Sequence, residues 1–151
     1  GNSTNSYTSK KAVEDLKDLK FYTDKYYSFD TIARSIQFLF FKGIDKPSPR
    51  KLKKVADFVY EGLNEILGIL EEKEVKNKNY FENNTFVGYI SILAKLYEVE
   101  NWEKQLENIM GNLDLSNISD YSNFKINKTS IGKIAEIFTE KFNIIQKNGG
   151  E

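Results

Sequence analysis

The sequence predicts an all-α, single-domain bundle of five or six helices around a long central helix, and three observations carry that expectation. Residues 48–70, SPRKLKKVADFVYEGLNEILGIL, form the longest uninterrupted helical pattern in the chain. In it Leu52, Val55, Val59, Leu63, Ile66 and Leu70 step by three and four, so they stack on one face of a helix of about 3.6 residues per turn. Cap and stop residues punctuate the rest of the chain at helix-sized intervals. No alternating strand pattern of useful length, internal repeat or sustained heptad array competes with this reading.

Residues 1–8 are small and polar and are expected to be a disordered or tag-like N-terminus. The helical domain is then 9–147, with 148–151 as a flexible tail. Ser9 caps a first helix marked by Val13, Leu16, Leu19 and Phe21. Tyr22, Tyr26 and Tyr27 crowd together after it, either continuing the helix or forming an aromatic loop. In the second helix Ser28 or Asp30 is the cap, Ile32, Ile36, Leu39 and Phe40 share one side, and Gly43 ends it. The segment IQFLFF is apolar nearly all round and reads as central. Linker 44–47 is short enough to make the second and third helices neighbours, and Pro47 biases Lys46 away from helix.

Ser48 caps the long third helix and Pro49 fits its first position, where a missing N–H costs nothing. Phe58, Leu67 and Ile69 widen its stripe, so it needs neighbours on more than one side. The polar run 71–84 ends in Asn83-Asn84-Thr85, a turn and cap for a fourth helix with Phe86, Ile90, Leu93, Ala94 and Tyr97. Asn101 caps a short fifth helix that turns Trp102, Leu106, Ile109 and Met110 inward and stops at Gly111. The stretch 112–128 carries Leu113, Leu115, Ile118, Tyr121, Phe124 and Ile126, enough apolar groups to pack as an ordered loop. The last helix begins at Thr129 or Ser130, presents Ile131, Ile134, Ala135, Ile137, Phe138, Phe142 and Ile145, and ends at 148–150.

The 151 residues suffice for one domain with a real core, and eleven Phe and nine Tyr will carry much of it. Lys plus Arg equals Asp plus Glu at 22 each, so no overall field attracts nucleic acid or an anionic membrane. There is no Cys and no His. That removes disulfides, thiolate and imidazole metal sites, cysteine nucleophiles and histidine-based triads for this chain acting alone. An enzyme would have to work with carboxylates, Lys and Tyr, so no catalytic residue, cofactor or metal is assigned. No apolar run is long enough to span a membrane and no signal peptide is visible, so the expected location is cytoplasmic. Four Asn-x-Ser/Thr triplets, at Asn2, Asn83, Asn117 and Asn127, fit the abundance of Asn, Ser and Thr. The Lys, Asn and Ile bias resembles that of chains from AT-rich bacterial, archaeal or viral genomes.

Four features could carry chemistry. Lys42, Lys46, Arg50, Lys51, Lys53 and Lys54 gather at the end of one helix, across a turn and in the first turns of the next, opposed by Asp45. Cations at a helix N-terminus oppose the macrodipole, so local stability does not explain them. Lys46, Arg50, Lys51, Lys53 and Lys54 are therefore the candidates for nucleic-acid or phosphate contact, against a solvated, internally paired face or a protein contact. The hairpin they sit on has the outline of a helix-turn-helix, although its second helix is longer and more apolar than groove reading needs. Glu61 and Glu65, one turn apart, could hold a cation or act as an acid/base pair, and Glu71, Glu72, Glu74, Glu98, Glu100, Glu103 and Glu107 extend the acidic set; with no third inward ligand marked, solvated helix faces are the reading preferred for them. Tyr22, Tyr26, Tyr27 and Phe29, interleaved with Lys20 and Lys25, could stack bases or pack at a helix junction. Thr129-Ser130-Ile131-Gly132-Lys133 lacks the glycines and strand of a phosphate loop and reads as a helix cap.

The run from Gly88 to Leu96, then Trp102 to Met110, then LDLSNISDYSNFKINKTSIGKIAEIF, resembles the helical C-terminal region of bacterial DGQHR-domain proteins, the group that includes DNA phosphorothioation regulators. There a similar Asp- and aromatic-rich loop follows a Gly-containing helix and leads into a final helix. Residues 44–70 would correspond to the helical segment upstream. The Asp-Gly-Gln-His-Arg motif that names the group is absent here, so no site residue carries over. What the resemblance implies is a fragment or accessory module without the catalytic-type core, in a DNA-associated or phage-defence setting. The expected function is thus a non-enzymatic helical interaction module or accessory subunit with a protein partner. The alternative is a direct nucleic-acid binder using the basic helix-turn cluster.

Overall fold

A computed structural model describes residues 27–42, 47–117 and 120–149. The first predicted helix, Tyr22, Tyr26, Gly43, Lys46 and Ile118 lie outside the described residues. Those described form five α-helices: α1 (Phe29–Phe41), α2 (Pro49–Glu72), α3 (Asn83–Leu96), α4 (Trp102–Asn112) and α5 (Lys128–Gly149). A 3-10 helix, Lys78–Phe81, precedes α3, and no strand occurs among the described residues. All five helices contribute to one continuous apolar core, so the all-α single-domain bundle is the observed architecture.

Of the two expected caps of α1, Ser28 takes the role: its Oγ accepts from the Thr31 amide at 3.1 Å. Asp30 instead pairs with Arg34 one turn on, at 2.7 Å. Ile32 and Ile36 are fully buried, with Leu39 and Phe40 half-buried against the core. Tyr27 packs its ring 4.2 Å from that of Phe86 and is 4% exposed, so it is a core residue, unavailable for base stacking. At the other end of α1, Phe40 meets Tyr97 at 5.5 Å. These two contacts, 27 to 86 and 40 to 97, make α1 and α3 parallel neighbours.

The start of α2 is built as its sequence specifies. Ser48 Oγ accepts from the Lys51 amide at 3.1 Å and Pro49 occupies the first turn. All six residues of the predicted stripe are buried, together with Ala56, Gly62, Leu67 and Ile69. The helix ends without glycine: Glu74 adopts φ 55°, and the Val75 and Glu74 amides donate to the Leu70 and Glu71 carbonyls. That is the double hydrogen bond of a Schellman closure, with Val75 folding back on the core.

Packed beside the long helix, α3 is the most deeply buried element among the described residues. Every residue from Asn84 to Leu93 is buried, and α3 packs against all four other helices. The long helix α2 is amphipathic along its whole length and keeps one face in water, whereas α3 has no such face. Two glycines set the spacing. A methyl group at Gly62 would collide with Leu93 Cδ2, and one at Gly88 with the Phe138 ring. At those points Leu93 and the Phe138 ring therefore lie directly against the glycine backbone, in space a side chain would otherwise take.

Asn83 and Asn84 do not cap α3; they lie inside its first turn and work at a distance. Asn83 accepts from the Ser28 amide at 3.1 Å and donates to Thr31 at 2.8 Å, tying α3 to the start of α1. Asn84 donates to the carbonyls of Tyr121 and Phe124 at 2.8 and 2.9 Å. With Tyr80, whose hydroxyl donates to the Leu113 carbonyl and accepts from the Leu115 amide, it fixes the loop between α4 and α5. Leu113, Leu115 and Tyr121 are buried there, so the described residues of that stretch pack on the core through the apolar groups the sequence marked. Asn101 precedes α4 but its Oδ1 accepts from Gln105 instead of capping, and α4 runs one residue past Gly111. The cap of α5 is Asn127, earlier than expected: Asn127 Oδ1 accepts from the Ser130 amide and Ser130 Oγ from the Asn127 amide. The helix continues to Gly149.

Candidate interaction site

The basic cluster sits where the sequence put it, on the first turns of α2, but its members are divided among separate partners. Lys53 pairs with Asp57 one turn on at 3.5 Å, and Lys54 with Glu98 at 3.2 Å. Lys51 Nζ lies 5.8 Å from the centre of the Tyr97 ring, and Lys42 lies over Phe38 at 5.2 Å. Arg50 is exposed and makes no ion pair among the described residues. Lys46 lies outside them. The candidate anion contacts thus fan around the helix, and only Arg50 among the four described is without a charged or aromatic partner there.

Beneath these cations is an aromatic group that the sequence did not announce. Phe58 packs on Tyr97 at 5.2 Å and on Trp102 at 5.0 Å. Tyr97 ends α3 in a tight turn with Glu98 at φ 65°, closed by the Val99 amide donating to the Leu96 carbonyl. Its hydroxyl is buried with no hydrogen-bond partner among the described residues, and burial raises its pKa, with Lys54 opposing and Glu98 adding. The Lys54–Glu98 pair therefore spans from the start of α2 to a turn held in left-handed backbone.

The opposite end of α2 carries the opposite charge. Its first turn holds no acid and its last turn no base, so both ends stand against the macrodipole. From its middle to its end α2 forms one wall of a groove of about 790 Å³, and α4 forms the other. Glu61, Glu65 and Glu72 line it from α2, Glu103 and Glu107 from α4, with Lys104 the one cation among its lining residues. Tyr60 and Ile69 supply apolar surface between the charges, and Gly68 leaves open space where a side chain would stand. The spacing of Glu61 and Glu65 already marks them in the sequence. That Glu103 and Glu107 join them depends on α2 packing against α4, which spacing cannot reveal.

Among the described residues no group of three acidic side chains is arranged to hold a metal ion. No helix described is long and apolar enough to cross a membrane. A smaller groove of about 480 Å³ between α1 and α5 is lined by Phe38, Leu39, Ala135 and Glu136 among others. Thr129 to Lys133 is the first turn of α5 and forms no phosphate loop. Comparison with family models, curated proteins and solved structures finds no match.

Proposed function

We propose that this protein is a non-enzymatic helical interaction module whose α2–α4 groove receives a positively charged segment of a protein partner. One observation carries the reading: the groove is walled by five glutamates with Tyr60 and Ile69 between them. Such walls attract a basic segment and repel a phosphate backbone, while the apolar floor offers area to bury. A DNA-associated or phage-defence assembly, in the cytoplasm, is the setting that the resemblance supplies. The second reading, direct nucleic-acid binding through Lys46, Arg50, Lys51, Lys53 and Lys54, draws on the exposure of Arg50 at the start of α2.

Fluorescence anisotropy with a labelled Lys-rich amphipathic peptide and a labelled DNA duplex, each at low and high salt, separates the two. The expected result is peptide binding that weakens with salt and is lost in a Glu61→Lys, Glu65→Lys, Glu107→Lys variant, with the duplex unbound. Salt-sensitive binding of the duplex, abolished by Arg50→Glu, Lys51→Glu and Lys54→Glu, would replace this reading with the second.

A further inference from the structure

Resting on the interaction-module reading, we propose that the occupant of the groove is a second copy of this chain. The two copies pair about a two-fold axis, and the basic first half of each α2 lies over the acidic α2–α4 groove of the other.

The exposed stripe of α2 runs through Arg50, Lys54, Asp57, Glu61, Glu65, Gly68 and Glu72, at helical spacings of three and four. Its sign changes halfway. Arg50 and Glu72 are separated by about 33 Å at 1.5 Å per residue. Charges in water are screened over about 8–10 Å, so the two ends of one helix cannot neutralise each other. An antiparallel second copy brings both complementary pairs together at once and sets the two helix dipoles against each other favourably. A two-fold arrangement also closes, since each copy offers the same patch that it receives.

Gly68 supplies an independent observation. Glycine inside an exposed helix is unfavourable relative to alanine. At Gly62 and Gly88 close packing within the chain explains it, but at Gly68 a methyl group would meet no atom of the described residues within 4 Å. Among the described residues Gly68 has no packing reason, and it stands in the wall of the acidic groove, where it lets another backbone approach. The Lys53–Asp57 and Lys54–Glu98 pairs are more than half exposed at every side chain, so exchange for partners across the axis meets little resistance.

Sedimentation velocity over a wide protein concentration range, at low and high salt, provides the test. The native chain is expected to dimerise at low salt, with a dissociation constant at least about tenfold larger at high salt. A variant with Arg50→Glu, Lys53→Glu and Lys54→Glu, and another with Glu61→Lys, Glu65→Lys and Glu72→Lys, should each be monomeric alone and form a heterodimer when mixed in equal amounts. Gly68→Gln, which favours the helix and so preserves the fold by circular dichroism, should weaken the dimer. A chain that stays monomeric at every concentration, or a dimer indifferent to both charge reversals, or no heterodimer in the mixture, overturns the proposal. If the monomeric native chain still binds the basic peptide, the second copy is excluded while the interaction-module reading stands; if it binds neither, both fall.

Discussion

At the scale of single residues, Gly88 and Gly62 do in this core what no larger residue could. A methyl at Gly88 would meet the ring of Phe138, itself confined between Tyr89 and Tyr121, whereas one at Gly62 would meet the terminal carbons of Leu93, which have some rotamer freedom. Overpacking of this kind costs about 1–3 kcal/mol, so Gly88→Ala should lie near the upper end and Gly62→Ala near the lower in urea unfolding. An unchanged midpoint for Gly88→Ala would mean that α3 and α5 can part without loss. Glu74 presents the reverse case. It holds φ 55° in the position where glycine usually closes a helix, and its side chain is exposed. Glu74→Gly removes that strain and one anion from the negative end of α2, so a gain of about 0.5–1 kcal/mol is expected. A loss would show that the Glu74 side chain has a contact worth more than its backbone strain.

At the scale of elements, α2 is a helix whose core face and charges pull in different directions. Its burial pattern is ideal, yet each end opposes the dipole. Arg50→Glu would place an anion in the first turn, one turn before Lys53 and Lys54, and should stabilise the dilute monomer by about 0.3–1 kcal/mol at low salt. The gain should vanish at high salt; if Arg50→Glu destabilises the monomer instead, Arg50 has a structural role in the fold. The loop between α4 and α5 is held by different means. Asn84→Ala strips the donors from the Tyr121 and Phe124 carbonyls and should cost about 1–3 kcal/mol. Hydrogen exchange should then quicken at the Phe124 amide, which donates to the Tyr121 carbonyl within the same turn; protection unchanged there would mean the loop is held by its apolar residues alone. These two elements also mark how far the sequence could be read. Period and caps disclose which face of α2 is buried, because both are local. Asn83, Asn84 and Asn127 look alike as turn-formers in sequence, and only the packing of distant segments decides that two of them bind other elements while one caps a helix. The acidic groove is half legible for the same reason: Glu61 and Glu65 share a face by periodicity, but their opposition to Glu103 and Glu107 is a tertiary fact.

At the scale of the whole molecule, the bundle is organised from the inside by α3 and fastened by tyrosines. Periodicity reports that a helix has a buried stripe but not how many neighbours cover it, so the near-complete burial of α3 is not legible in its spacing. Within the core, Tyr89 donates to the Tyr80 carbonyl at 2.7 Å, and the Tyr121 hydroxyl lies 3.3 Å from that of Thr85, which donates to the Asn79 carbonyl. This network joins the 3-10 helix, α3 and the α4–α5 loop. Burial raises both phenols: Tyr121 is pushed up to about 12 with the Thr85 contact opposing, and Tyr89 moves well above the usual range with Tyr121 and Tyr80 adding. The consequence is a stability that depends on alkaline pH. A phenol whose folded pKa exceeds its unfolded value of about 10 keeps its proton in the native state after the unfolded chain has lost it. Its contribution is therefore complete below about pH 10 and drains away as the pH rises toward about 12 for Tyr121. Unfolding free energies measured in urea should be flat with respect to these groups from neutral to mildly alkaline pH and then fall. Tyr121→Phe, which keeps the ring against Phe138 and removes the titrating group, should flatten part of that fall. If its alkaline slope matched that of the native chain, Tyr121 would not be among the groups whose ionisation unfolds the bundle.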